Sequence, residues 1–382
     1  MPENPKLEYV IHNCHVHLFT IDYIPKYFLH SAVPVTVVKN HWIASTAYRL
    51  FRNTLNRYSA FFYAALRRTP KDILEELRYY YPRRTKFVPL TVDFEYMEAG
   101  PCERGYLQQL EDIAALKQEF PDKIYPFICS DPRRENVLDL VKDYIENKGF
   151  SGIKLYPALG YFLDDERLFP VYAYAEKNEL PITTHCIPKN KNHYRGKITD
   201  AMRAKAMQTP GATESETKSN YDFAQFFNHP YWLEKNVLPE FPNLKVNFGH
   251  FGGNTEWDKY LDNPYNPDKD APNWYSMIRN LIENTDYPNI YSDISFTVFD
   301  QKLYPLLKNL IKSTGTRDYV LFGSDFYMLQ KDYRERRFGL DMRGYLDDED
   351  YWQIAEINPK RFLANKIHEE RSVKRSSRKA HA

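Results

Sequence analysis

From about residue 85 onward the chain repeats one rhythm, a short apolar run, a turn, and then a stretch with helical spacing. Runs at 86–93, 123–129, 150–157, 180–185, 244–250, 289–293 and 319–325 read as strands, and an earlier run from Tyr9 to Phe19 makes eight. Helical spacing falls between them at 112–120, 136–147 and 171–178, and a last helix closes the series at 347–363. Eight strands alternating with helices predict an α/β fold of the (β/α)8 TIM barrel type. An open doubly wound sheet is the competing topology, but no Gly-x-Gly-x-x-Gly follows any of the strands.

Two segments break the rhythm. A helical insert after strand 1 covers about 20–84, and a long insert after strand 5 covers about 187–240. Within the first, Ile43, Ala47, Leu50, Tyr58, Phe61 and Ala65 form one stripe of a helix from Trp42 to Leu66, expected to pack over the barrel rim as a lid or dimer element. Thr69-Pro70-Lys71-Asp72 then reads as the start of a further helix through Leu77. A single domain over 1–368 accommodates all of this. The remainder, 369–382, is Ser-rich and carries Arg371, Lys374, Arg375, Arg378 and Lys379, the pattern of a disordered basic tail.

Composition narrows the function. With 43% hydrophobic and 27% charged residues in 382, a large core is available. A formal net charge of +1 argues against a nucleic-acid or acidic-membrane surface and leaves a small-molecule substrate. The opening MPENPKLEYV lacks a signal-peptide pattern, and no run reaches the apolar length of a membrane span. The expectation is a cytoplasmic protein, with a homodimer as the commonest assembly of such chains. Cys14, Cys102, Cys129 and Cys186 show no Cys-x-x-Cys spacing and read as reduced thiols.

The chemistry-bearing residues fall at strand ends. His15 and His17, two apart on an extended strand, share one side of it. His185 ends strand 5, His250 strand 6 and Asp325 strand 8. A barrel aims side chains at those ends into one axial pocket. Imidazoles and a carboxylate there suit one divalent metal, zinc first, with a position open for water. Lys154 and Tyr156 end strand 4 and Asp293 ends strand 7. Lys154 either faces the substrate or forms a structural ion pair, with a bridging carbamate the third option. Arg133 and Arg134 follow strand 3 and either bind a substrate carboxylate or pair with Asp131. Asp293 either lines the pocket or orients a ligand histidine. His193 lies on the second insert, either over the pocket or as an ordinary loop histidine.

In these pieces the chain resembles the amidohydrolase superfamily, in the branch that includes aminocarboxymuconate-semialdehyde decarboxylase and related hydrolases. The pieces are His15-Val16-His17, Gly152-Ile-Lys154-Leu, Leu180-Pro-Ile-Thr-Thr-His185, Asn289-Ile-Tyr-Ser-Asp293 and Phe241-Pro-Asn-Leu-Lys-Val-Asn-Phe-Gly-His250-Phe-Gly. Leu321-Phe-Gly-Ser-Asp325 and Glu356-Ile-Asn-Pro-Lys-Arg-Phe362 complete the order. The chain departs from the pattern at Asn13, where Asp is frequent, and at Tyr327, where Pro is frequent. The resemblance implies metal ligation by His15, His17, His185 and Asp325, with His250 beside the metal's water. The chemistry of such a centre suits water attack on a small amide, ester or lactone, with Asp325 as proton acceptor and donor and His250 stabilising charge on the carbonyl oxygen. The alternatives are non-oxidative decarboxylation of a small unsaturated or aromatic carboxylate at the same site, and an idle barrel kept as a binding or scaffold protein.

Overall fold

The computed structural model describes residues 9–28, 64–190, 192–264, 272–328 and 333–371. The stripe from Trp42 to Leu66 lies outside them except at its end. The first strand, β1, is His12–Val16, and α1 is Pro70–Tyr79. The helix starts where the sequence predicts, because Thr69 and Asp72 form a reciprocal capping box and Pro70 occupies the first turn. Next come β2 (Lys86–Pro89), α2 (Tyr106–Glu119), β3 (Phe127–Cys129), α3 (Val137–Glu146), β4 (Gly152–Leu155) and α4 (Phe169–Lys177). β5 (Ile182–His185) leads through α5 (Asp200–Ala206) and α6 (Asn220–Asn228) to β6 (Val246–Gly249). The chain continues with α7 (Asn254–Asp262), α8 (Trp274–Glu283), β7 (Ile290–Asp293), α9 (Tyr304–Lys312), β8 (Val320–Leu321) and α10 (Glu335–Tyr345). A closing helical segment runs through α11 (Asp348–Trp352), a π turn at Gln353–Ile357 and α12 (Asn358–Leu363).

All pairings between these strands are parallel. β3 to β8 pair in sequence order, and β1 pairs with β2. Single parallel bridges join the two sheets into a ring, Phe87 with Ile124 and Leu90 with Phe127 on one side, Val16 with Phe326 on the other. The fold is therefore the (β/α)8 barrel expected from the rhythm. β3 to β8 are buried along their whole length, as parallel strands covered by helices must be. A small apolar cluster of Cys14, Val88, Leu90, Phe127, Tyr291 and Leu321 fills the interior, capped by Phe362 from α12.

Three local departures have physical reasons. The eighth strand is shorter than its apolar run, because Phe322 N–H turns to the Ile354 carbonyl and Asp325 takes a left-handed backbone at φ 59°. The closing helix is one continuous run but carries a π turn. The chain is helical over 366–371, and Arg371 donates to the Ile145 carbonyl at 2.8 Å. Residues 372–382 of the basic tail lie outside the described residues. Among the described residues, no helix is long and apolar enough to cross a membrane.

Candidate metal centre

The end of β1 is stitched to both neighbours. Leu90 N–H bonds to the Val16 carbonyl at 2.9 Å, Asp325 N–H to the His15 carbonyl at 2.8 Å, and His17 N–H to the Phe326 carbonyl at 2.6 Å. These bonds carry His15 and His17 to the mouth of the barrel beside Asp325. His17 Nε2 stands 3.2 Å from Asp325 Oδ1, and His15 Nε2 stands 3.8 Å from the same oxygen.

The tautomers follow from the other ring nitrogens. His15 Nδ1 faces Asp293 Oδ2 at 3.0 Å, and His17 Nδ1 faces the Leu90 carbonyl at 3.0 Å. Both partners are acceptors, so each Nδ1 carries the proton and each ring turns its Nε2 toward Asp325. Three atoms able to ligate a metal thus converge. His15 Nε2 and Asp325 Oδ1 are buried and have no hydrogen-bond partner. A buried acceptor left unmatched is costly, and a divalent cation resolves both at once. The donor set, two imidazoles and a carboxylate whose ligand atoms lie within 4.8 Å of one another, fits such an ion.

Electrostatics reinforce this reading. Burial pushes His15 down to about 4, against the pull of Asp293, so the ring stays neutral as a ligand must. Burial alone would raise Asp325, but the neighbouring imidazoles of His17, His250 and His15 outweigh it and hold the carboxyl below its usual range. Asp293 is likewise held well below the carboxylate range despite full burial. It accepts from His15 and, at 2.7 Å, from Asn247 Nδ2, and from the Ser295 hydroxyl and the backbone N–H groups of His250 and Ser295. Of its two sequence readings, the structure places Asp293 behind His15 as the carboxylate that fixes its tautomer.

His250 and His185 form a second layer. His250 Nδ1 faces the Ser295 carbonyl at 2.9 Å and so carries a proton. Its Nε2 then accepts from His185 Nδ1 at 3.0 Å, and His185 Nε2 accepts from Asn190 Nδ2 at 2.7 Å. Burial lowers both rings below the usual histidine value. His185 is therefore not within the group formed by His15, His17 and Asp325. His250 stands between, with its ring centroid 4.6 Å from that of His15. His250 at φ 69° and Asp325 both hold left-handed backbone, which non-glycine residues keep only where the surroundings enforce it.

The other sequence candidates separate clearly. Lys154 is 1% exposed and its Nζ has no hydrogen-bond partner. Burial pushes its amine down to about 8, against the opposing pull of Asp293 and Asp325. The Tyr156 ring lies tilted against that of His185 with centroids 4.4 Å apart, and its hydroxyl accepts from Asn190 at 3.0 Å. Arg133 is spent elsewhere, on both oxygens of Asp131 and on the carbonyls of Tyr96 and Leu159. Arg134 pairs with Asp93 at 2.8 Å and with Glu95. His193 Nδ1 donates to the Asn190 carbonyl at 2.9 Å.

Sequence reasoning overlooks Asn190 and Ser295. Ser295 lies two residues beyond Asp293, where the alternation that finds His17 from His15 also points. Asn190 sits in an irregular stretch after β5 and leaves no periodic trace. Behind Asp325 lies a further polar knot. Asn13 Nδ2 donates to Ser324 Oγ at 2.8 Å and to the Tyr81 hydroxyl at 3.1 Å, and Tyr81 donates to Glu335 at 2.5 Å.

Residues 13–364 match the amidohydrolase family model, which spans every residue of the centre. The chain belongs to the amidohydrolase family. Amidohydrolases are enzymes, and members of the superfamily bind a divalent metal, which agrees with the converging donors of β1 and Asp325. The fold is similar to that of 5-carboxyvanillate decarboxylase from Sphingomonas paucimobilis, at 14% identity and a TM-score of 0.55 over 93% of this chain and 99% of that one. It is also similar to a dihydroxybenzoic acid decarboxylase from Polaromonas sp. JS666, determined with bound manganese and 2-nitroresorcinol. Here the identity is 12% and the TM-score 0.54, over 93% and 97% of the two chains. A 2,6-dihydroxybenzoate decarboxylase aligns at 13% identity and a TM-score of 0.53, over 93% and 99%. At these identities the likeness is one of fold. Among curated proteins, none matches the sequence significantly.

Proposed function

We propose that this amidohydrolase is a metal-dependent hydrolase of a small carbonyl compound, an amide, ester or lactone. The observation that carries the reading is the convergence of His15 Nε2, His17 Nε2 and Asp325 Oδ1, two of them buried without a partner. These three residues would hold the ion, zinc by preference for nitrogen and oxygen donors, and His185 would join them once Asn190 releases its Nε2. When bound, such an ion acidifies a coordinated water from a pKa of about 15.7 to about 7 and polarises a carbonyl oxygen.

The chain's own residues do the rest. Asp325 accepts the proton of the attacking water and returns it to the leaving group. His250, whose Nδ1–H stays on the Ser295 carbonyl, would donate to the developing oxyanion once its Nε2 takes a proton from solvent. Asp293 holds the His15 proton at Nδ1, which keeps Nε2 free for the ion. Lys154 supplies a buried cation for an anionic substrate group, with Tyr156 beside it.

Lys154 also favours a second reading. A buried amine with no hydrogen-bond partner suits a substrate carboxylate, so decarboxylation of a small unsaturated or aromatic acid can use the same centre. One screen separates the readings. Zinc- and manganese-loaded protein is offered amides, esters and lactones with acid release recorded, and carboxylic acids with carbon dioxide recorded. Acid release that Asp325→Asn abolishes supports hydrolysis. Carbon dioxide release alone replaces it with decarboxylation, and loaded protein without either product supports an idle binding barrel.

A further inference from the structure

One segment after β5, His193 to Gly196, lies outside the centre and is fixed by its own hydrogen bonds. Tyr194 N–H bonds to the Ala158 carbonyl and Arg195 N–H to the Met97 carbonyl, each at 2.8 Å. From α6, Asn220 Nδ2 donates to the carbonyls of Tyr194 and Gly196 at 3.0 and 2.7 Å. The segment lines a cleft of about 610 Å³ together with Tyr27, Glu98 and Tyr221. That volume matches a small organic molecule.

Arg195 is the unusual member. Its Nη2 reaches the Phe28 carbonyl at 3.3 Å, while its Nε is buried with no acceptor. No carboxylate among the described residues pairs with its guanidinium, whereas Arg104, Arg133, Arg134 and Arg317 each hold at least one acidic partner. Glu98 shares the cleft but sits exposed at its rim and makes no ion pair with Arg195. Burial with nothing to offset it pushes Arg195 down, while Arg104, Arg133 and Arg134 are raised by their carboxylates.

The cleft is one residue from the centre. His193 bonds through Nδ1 to the Asn190 carbonyl, and the Asn190 side chain bonds to His185 and Tyr156. We infer that this cleft is a carboxylate-binding subsite in which Arg195 grips an anionic group of the substrate remote from the reacting carbon. A guanidinium presents a planar fork of donors that matches a carboxylate, and no carboxylate among the described residues occupies this one. Tyr27, Tyr221 and the His193 ring provide aromatic faces for an unsaturated or aromatic body. The inference rests on the proposed substrate-processing site only for its word substrate, and the carboxylate subsite stands or falls by binding alone.

The test is a binding titration on the full chain with benzoate, its neutral isostere benzamide, and inorganic phosphate. It is run with the zinc-loaded and the chelator-treated protein, for wild type, Arg195→Met and Arg195→Lys. Benzoate is expected to bind wild type at least tenfold tighter than benzamide, equally with and without metal. Arg195→Met should weaken benzoate about 10- to 100-fold, the effect of a charge-assisted pair, with the melting temperature checked and Arg195→Lys restoring part of the affinity. Equal binding of benzoate and benzamide, unchanged benzoate affinity in a folded Arg195→Met, or benzoate binding that vanishes with the metal overturns the subsite. Phosphate binding without benzoate binding overturns it as well. Metal content of the same preparations is read in parallel, so failure of the metal centre shows itself separately from failure of the cleft.

Discussion

Replacing Asp293 with Asn tests the tautomer argument on which the centre depends. Asp293 Oδ2 accepts from His15 Nδ1 at 3.0 Å and Asn247 Nδ2 at 2.7 Å, while Oδ1 accepts from the Ser295 hydroxyl and from two backbone N–H groups. An asparagine has one oxygen for these five donors. With that oxygen on the Oδ1 side, its amide N–H groups face the His15 proton and the Asn247 amide. Two charge-assisted bonds are lost, each worth about 1.5–3 kcal/mol. His15 relieves the clash by moving its proton to Nε2, which fills the lone pair aimed at Asp325. Metal affinity should then fall about 10- to 100-fold, or roughly 1.4–2.8 kcal/mol. Calorimetric titration of metal-free wild type and Asp293→Asn with zinc reads this directly, with circular dichroism to confirm the fold. A folded Asp293→Asn that binds zinc within twofold of wild type would refute the reasoning.

Three further outcomes follow from the same geometry. Lys154 is held at about 8 against the ordinary lysine value of 10.5, so its folded state disfavours the charge; the cost is present below about 8 and disappears as pH rises to about 10.5. Lys154→Met should raise stability at pH 7 by on the order of 3 kcal/mol in urea unfolding and abolish turnover; a less stable variant contradicts this. Burial raises Glu335 from 4.5 to about 7, against hydrogen bonds from Ser324 and Tyr81, so its contribution is full below about 4.5 and is lost as pH climbs through about 7. Glu335→Gln should flatten the pH dependence of stability across that window by about 3 kcal/mol, and an unchanged slope counts against it. A Cβ at Gly249 would stand 3.0 Å from the Thr184 carbonyl and 3.1 Å from His15 Cε1, so Gly249→Ala should cost about 1–3 kcal/mol and weaken zinc binding, measured by thermal unfolding with and without zinc.

The barrel was legible because its signal is periodic. Each strand is a short buried run between turns, and a parallel sheet buried on both faces writes that pattern eight times. His15, His17 and Asp325 were legible because alternation and strand ends specify direction. What alternation does not specify is how a ring turns at the end of its strand. His185 ends β5 as expected, but Asn190 and His250 take both its nitrogens, and neither bond has a periodic trace. Arg133 and Arg134 likewise stand after β3 as expected, yet Asp131 and Asp93 lie near enough to claim them. Asn190 and Arg195 lie in irregular chain after β5, where position depends on contacts from α6 and from residues near 97 and 158. Such contacts are long-range, and a local reading of the sequence has no access to them.

The central claim is that His15, His17 and Asp325 share one ion, and metal analysis of purified protein tests it most directly. Wild type loaded with zinc or manganese and then desalted is predicted to keep one divalent ion per chain, and the folded triple variant His15→Ala, His17→Ala, Asp325→Ala to keep none. Wild type that retains no ion, or a triple variant that retains one, contradicts the account.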